Sequence, residues 1–241
     1  MNFGRAPRFA PEGTHALNLS STLIALSLTA IASAILTIVV RYALPRSAWL
    51  SYIFKPLTTC LILAVAVIPT ARTGSTYGAA ITLGLIFSLA GDIWLILPGD
   101  RFVPGLASFF LGLLSYCVAF AAGRRLFGFP WPALPPLAIG AVALWYLWPG
   151  LPAKLRLPVG AYVLAMVTMA SLAGYRASSN PSAGAVCAAI GAALFLVSDA
   201  LLAINRFRRP FRLVHAVVLG TYFVGQLLIA LSVGLLAASA T

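Results

Sequence analysis

Acidic side chains are scarce in this chain: its 241 residues include only Glu12, Asp92, Asp100 and Asp199, against 16 lysines and arginines. Charged residues of both signs make up 8% of the sequence, where a soluble domain carries about 25%. With 61% hydrophobic residues and a mean hydropathy of +1.01, the chain has too little polar surface to cover a water-soluble fold, so lipid is the expected solvent. The three cysteines, Cys60, Cys117 and Cys187, sit inside apolar runs without C-x-x-C spacing. That argues against a disulfide frame or thiolate metal site and leaves them as small buried hydrophobes. The two histidines, His15 and His215, lie at or beside span ends and are too few and scattered for a metal cage. The sequence also lacks a G-x-S-x-G elbow, an H-E-x-x-H helix and a P-loop, and no cofactor is indicated. Scarcity of acid leaves a net charge of +12, but the basic residues lie mostly in short segments between apolar runs. That pattern fits membrane topology and anionic lipid head groups, and does not suggest nucleic acid as a partner.

The remaining sequence is a series of apolar runs. Measured against the roughly 20 residues that cross a bilayer, they predict about eight transmembrane helices, at about 17–40, 49–70, 77–97, 103–122, 132–149, 157–174, 184–204 and 213–237. Proline- and glycine-rich clusters separate them, among them Pro98-Gly99-Asp100, Pro149 to Pro158 and Asn205 to Pro210. The expected fold is an all-α polytopic bundle, with residues 1–16 a basic tail and 17–238 a single transmembrane domain. The first run is too long for a signal-peptide core and is expected to stay as a membrane helix. Eight spans place both termini on one side. Loops on that side, with the tail, carry Arg5, Arg8, Arg72, Arg124, Arg125 and Arg176. The opposite loops carry Arg41, Arg46, Arg101, Lys154, Arg156, Arg206, Arg208, Arg209 and Arg212, and this excess places the second set in the cytoplasm. Spans three (LIFSLAGDIWLILP) and seven (ALFLVSDALLAIN) each have a small residue before Asp and a leucine three after it, consistent with a four-plus-four parallel repeat.

Asp92 and Asp199 are the residues this composition makes conspicuous. Each lies five or six residues before the predicted end of its span, which is about 8–9 Å below the same interface, on the predicted cytoplasmic side. Lys55 enters that layer from span two, with Tyr52 and Thr59 on its helix face. Burying each such group costs about 2.5–3.5 kcal/mol on insertion scales and is tolerated where the groups pair or line a wet cavity. Plainer readings exist: Lys55 as a snorkelling chain, the aspartates as a structural clasp, and Tyr116, Tyr222 and Gln226 as interhelical hydrogen-bonders. Arg206 to Arg212 also reads as a topology anchor, with Arg206 on the Asp199 face and one to two turns nearer the head groups.

Several ordered motifs give the chain a resemblance. They are Tyr52-Ile-Phe-Lys55-Pro56, Ser88-Leu-Ala-Gly91-Asp92-Ile-Trp-Leu95, Phe102-Val-Pro-Gly105-Leu-Ala-Ser-Phe109 with Gly112 and Tyr116, and Gly191-Ala-Ala-Leu-Phe195-Leu-Val-Ser198-Asp199 running on to Arg206-Phe207. In these motifs the sequence resembles the YhhN-like lysoplasmalogenases, and departs from them at Leu113, where relatives commonly carry histidine. The resemblance implies hydrolysis of the vinyl ether bond of a lysoplasmalogen, a single-chain lysophospholipid. That reaction needs a neutral carboxylic acid to protonate carbon and an ionised carboxylate to stabilise the cation or activate water. Asp92 and Asp199 are expected to share those roles, with Lys55 and Arg206 orienting the phosphate. Tyr52, Ser88, Tyr116, Ser198 and Tyr222 complete the expected substrate contacts.

Two other functions fit parts of the pattern. An intramembrane aspartyl protease also uses two aspartates, and Gly91-Asp92 and Pro132-Ala133-Leu134 resemble its elements. Leu89 replaces the glycine that class requires, however, and the Pro-Ala-Leu falls between the two acids instead of after them. A proton-coupled carrier or non-catalytic lipid-binding protein would also keep buried acids, at the midplane more typically than near one interface.

Overall fold

A computed structural model describes residues 12–43, 49–123, 131–210 and 213–239, and of residues 12–20 and 43 the backbone alone. The tail with Arg5 and Arg8, together with Arg46, Arg124, Arg125 and Arg212, lies outside the described residues, as do the side chains of Glu12 and His15. The described chain forms eight α-helices: α1 (Glu12–Ala43), α2 (Ser51–Thr73), α3 (Thr76–Ile96), α4 (Phe102–Ala121), α5 (Leu134–Leu147), α6 (Ala153–Ser179), α7 (Ala183–Phe207) and α8 (Val214–Ala238). All eight spans are long and apolar enough to cross a bilayer. In lipid each backbone amide must pair within its own segment, and helices satisfy that requirement.

Local chemistry places the helix ends. Ser75 and Ser182 cap α3 and α7 by accepting from the Gly78 and Ala185 amides at 3.1 and 3.2 Å. Gly74 ends α2 at φ +60°, a left-handed position that lets α3 start two residues later. α5 has only 14 helical residues, and single 3-10 turns at Trp131–Ala133 and Trp148–Gly150 extend it to a 20-residue span. α6 departs most from expectation, starting at Ala153 directly after Pro152 and running through Pro158 to Ser179. Pro158, the sixth residue of α6, is exposed and withholds the amide that the Lys154 carbonyl would accept from. Trp49, Trp131, Trp145 and Trp148 are exposed at or beside span ends, where an amphipathic ring favours the head-group layer.

Six helices close a ring in the order α2, α3, α4, α6, α7, α8 and back to α2. α1 packs outside the ring on α2 and α8, while α5 packs outside it on α6 and α7. Sequential pairings recur in the two halves, but α1 packs on α8 whereas α5 packs on α7. Close approach in the two halves is made at Gly84 and Gly191, each eight residues before an aspartate. A Cβ on Gly84 would meet the Tyr116 ring at 2.3 Å, and one on Gly191 the Gly225 carbonyl at 2.6 Å. Phe109, Tyr116, Phe120, Phe195 and Tyr222 fill the ring as an aromatic core.

Candidate active site

All eight helices contribute to a cavity of about 710 Å³ that reaches from inside the ring to α1 and α5. Such a volume suits one small-molecule ligand. Tyr52, Lys55, Asn205, Arg206, Arg41 and His215 line it near the helix ends, whereas Ile139, Ala143, Leu147, Val159, Val163 and Met166 from α5 and α6 give it an apolar arm. Asp92 and Asp199 both line this one space. The helix ends are less level than the sequence suggests: Asp92 stands four residues before the end of α3, and Asp199 eight before the end of α7. The extra turn of α7 carries Arg206 and Phe207 down to meet the α3–α4 turn.

Asp92 is buried and surrounded by donors. Lys55 Nζ lies 2.8 Å from Oδ1, while Thr59 Oγ1 and Tyr222 OH donate to Oδ2 at 2.7 and 2.8 Å. Lys55 is therefore an ion-pair partner, with 16% of its side chain exposed, instead of a chain snorkelling to the interface. Asp199 has a different setting: half-buried, it accepts a short hydrogen bond from Tyr162 OH, and no lysine or arginine is within ion-pair distance among the described residues. Tyr162 is a residue that sequence reasoning missed. It is a phenol nine residues into the long α6, a depth at which a hydroxyl needs a partner, and that was its available signal.

The other expected contacts divide. Tyr52 is half-exposed on the cavity rim. Tyr222 lines the cavity, and Ser198 lines it while donating to the Val218 carbonyl at 2.9 Å, which ties α7 to α8. Ser88 and Tyr116 are not among its lining residues. Both belong to a fully buried relay in which Tyr116 donates to Gln226 Oε1 at 2.6 Å and Gln226 Nε2 donates to Ser88 Oγ at 3.1 Å. Arg206 lines the rim but is engaged by Asp100, with Nη2 at 2.8 and 3.0 Å from the two carboxylate oxygens and the guanidinium over the Phe102 ring at 4.1 Å. The guanidinium holds the exposed Asp100 carboxyl below its usual range, assisted by the Phe102 amide. No group of three or more His, Cys, Asp or Glu side chains able to hold a metal occurs among the described residues.

Comparison with known proteins places this geometry in a family. A model described as the YhhN family matches residues 50–233, from the start of α2 into α8. The chain is 34% identical over 185 residues to the Uncharacterized membrane protein YhhN of Escherichia coli O6:H1, covering 76% of this chain and 87% of that one. It is 37% identical over 158 residues to the human Lysoplasmalogenase TMEM86B, covering 61% of this chain and 60% of that one. With the bovine Lysoplasmalogenase TMEM86A it shares 34% identity over 160 residues, 63% of this chain and 64% of that one. No solved structure matches it. The match spans α2 to α8, including both aspartates, Lys55 and Tyr162, and this multi-pass membrane protein belongs to the YhhN family.

Proposed function

We propose that the protein is a membrane-embedded hydrolase that cleaves the vinyl ether bond of lysoplasmalogens, releasing a fatty aldehyde and a glycerophospho-head group. The observation that carries this reading is the pairing of two carboxyls with unlike surroundings in one amphipathic cavity. Relatives named lysoplasmalogenase supply the substrate class. The apolar arm between α5 and α6 accepts a single chain, and the polar rim accepts a head group.

Chemistry follows from the two environments. Asp92, paired with one ammonium and accepting from two hydroxyls, is the fixed anion of the pair. Asp199 faces the cavity with a single hydroxyl partner and serves as the proton donor. Its proton passes to the vinyl carbon remote from oxygen, leaving an oxocarbenium ion that the Asp92 anion stabilises. The Asp199 carboxylate so formed takes a proton from water as that water adds to the carbon bonded to oxygen. The resulting hemiacetal collapses to aldehyde and a free glycerol hydroxyl, consuming one water and regenerating the acid. Tyr162 orients Asp199 throughout, and no cofactor is needed.

Phe195, which does not line the cavity, packs against Phe109 and Tyr222, which do, with Tyr116 behind it on the Phe195 ring, and this closed aromatic floor favours a substrate pocket over a carrier path. The test is aldehyde release from lysoplasmenyl-ethanolamine by purified protein in detergent. Asp199→Asn is expected to reduce turnover by about 10²–10⁴-fold with the protein still folded, and Asp92→Asn to be similarly impaired. Near-normal turnover in Asp199→Asn would remove the proposed acid.

A further inference from the structure

Four basic side chains line the cavity rim, and they are not equivalent. Lys55 is matched by Asp92, and Arg206 by Asp100. Arg41, in the last turn of α1, also lines the cavity but has no carboxylate within ion-pair distance among the described residues. Its side-chain neighbour is the His215 imidazole, whose Nε2 accepts from Arg41 Nη2 at 3.5 Å. The remaining carboxyl in the cavity, Asp199, is bound by Tyr162.

Backbone electrostatics add to this excess of positive charge. α2 begins at Ser51 and α8 at Val214, both on the cavity side, and neither carries an acidic residue in its first turn. Helix N-termini carry partial positive charge, so placing the Arg41 guanidinium beside that of α8 is unfavourable until an anion arrives. The contact is nevertheless built in. Tyr42 OH accepts from the Ala216 amide at 3.1 Å, and Ser33 and Thr58 hydroxyls pair at 2.8 Å, fixing α1 against α8 and α2. A surface arginine serving only as a topology anchor would face the head groups, as Arg156 does over the Trp148 ring, outside the cavity lining.

We infer that Arg41, with His215 beside it, is the phosphate-binding subsite for a single-chain phospholipid. Arg41, on α1, lies outside the residues the family model matches, and His215, on α8, lies inside them. This rests on the lysophospholipid reading above for the identity of the ligand. Lys55 and Arg206, with carboxylate partners already in place, then act on Asp92 and on the α3–α4 turn. Guanidinium and phosphodiester match as a two-pronged donor and a pair of acceptor oxygens.

The test measures binding, not turnover. Purified full-length protein in detergent is titrated with 1-palmitoyl-lysophosphatidylcholine, which has no vinyl ether to cleave, and with 1-palmitoylglycerol, which has no phosphate. Arg41→Gln is expected to weaken lysophosphatidylcholine binding about tenfold or more while palmitoylglycerol binds as before. Arg41→Lys keeps much of the affinity, and Arg156→Gln changes neither ligand. Excess inorganic phosphate competes with lysophosphatidylcholine on the wild-type protein and has little effect on Arg41→Gln, which separates a general phosphate subsite from one that needs the whole lipid. Equal lysophosphatidylcholine affinity in wild type and Arg41→Gln would overturn the inference, as would equal loss of both lipids. Failure to release aldehyde from lysoplasmenyl-ethanolamine with this binding pattern intact would instead overturn the hydrolase assignment and leave the subsite standing.

Discussion

At the scale of single residues, Lys55 and Asp92 depend on each other. The carboxylate is almost wholly buried and the ammonium nearly so, at 2.8 Å. Removing one partner of such a pair typically costs about 3–5 kcal/mol, because the other is left as an uncompensated buried charge. Lys55→Met is therefore expected to lower the melting temperature in detergent sharply. Adding Asp92→Asn should restore much of that loss, since the amide still accepts from Thr59 and Tyr222 and no lone anion remains. Turnover should stay low in the double variant, because the cation-stabilising anion is gone. If Lys55→Met melts like wild type, the ammonium does not hold Asp92 in place and the assignment of Asp92 as a fixed anion fails. Asp199 has no such cation, which is why the two acids, alike in sequence context, take different parts in the proposed reaction.

At the scale of elements, helix contact sets where the acids point. Gly191 lets α7 meet α8 backbone to backbone, with the Gly225 carbonyl and the Ile229 amide at 2.6 and 3.1 Å from where a Cβ would stand. Those atoms cannot rotate away, so Gly191→Ala must push the helices apart, at a cost of about 1–3 kcal/mol for overpacking. The same shift moves Asp199, eight residues on, away from Tyr162 and from the cavity wall that Tyr222 forms on α8. The expected result is a lower melting temperature together with reduced aldehyde release; Gly160→Ala, which meets open space, is the control. An unchanged melting temperature in Gly191→Ala would mean that the helices do not pack this closely.

Helix boundaries were legible in the sequence because lipid sets span length and proline and glycine mark the turns, as at Gly74 and Pro98-Gly99. Asp92, Asp199 and Lys55 were legible because a charge inside an apolar run has few explanations. Tyr162 was hidden, since an uncharged phenol in a span that also carries Thr168, Ser171 and Tyr175 does not stand out as a buried charge does. The engagement of Arg206 by Asp100 was hidden as well, because it joins residues 106 apart in sequence across a turn that only the packed ring brings together. Arg41 read as a topology residue for the same reason: its cavity face exists only once α1 has docked on α8.

At the scale of the whole molecule, charge asymmetry sets which side the site opens to. Arg41, Arg101, Lys154, Arg156, Arg206, Arg208 and Arg209 stand at or beside the helix ends on the side where the cavity lies. At the other end Arg72 is exposed, but Arg176 is drawn inside, donating to the Ala122 carbonyl at 3.0 Å and lying over the Tyr77 ring at 4.6 Å. A buried arginine cannot meet anionic lipid, so the outward-facing charge is more lopsided than a count along the chain suggests. By the positive-inside rule the rim is expected to face the cytoplasm, and the head group of a bound lysolipid would then be drawn from the inner leaflet. This is testable with a membrane-impermeant maleimide on a protein whose Cys60, Cys117 and Cys187 are replaced by alanine. Arg72→Cys is expected to label in intact cells and Lys154→Cys only after the membrane is opened. The reverse pattern would place the cavity on the outer face, so that Arg41 and Lys55 would select outer-leaflet lipid and the aldehyde would be released outside the cell.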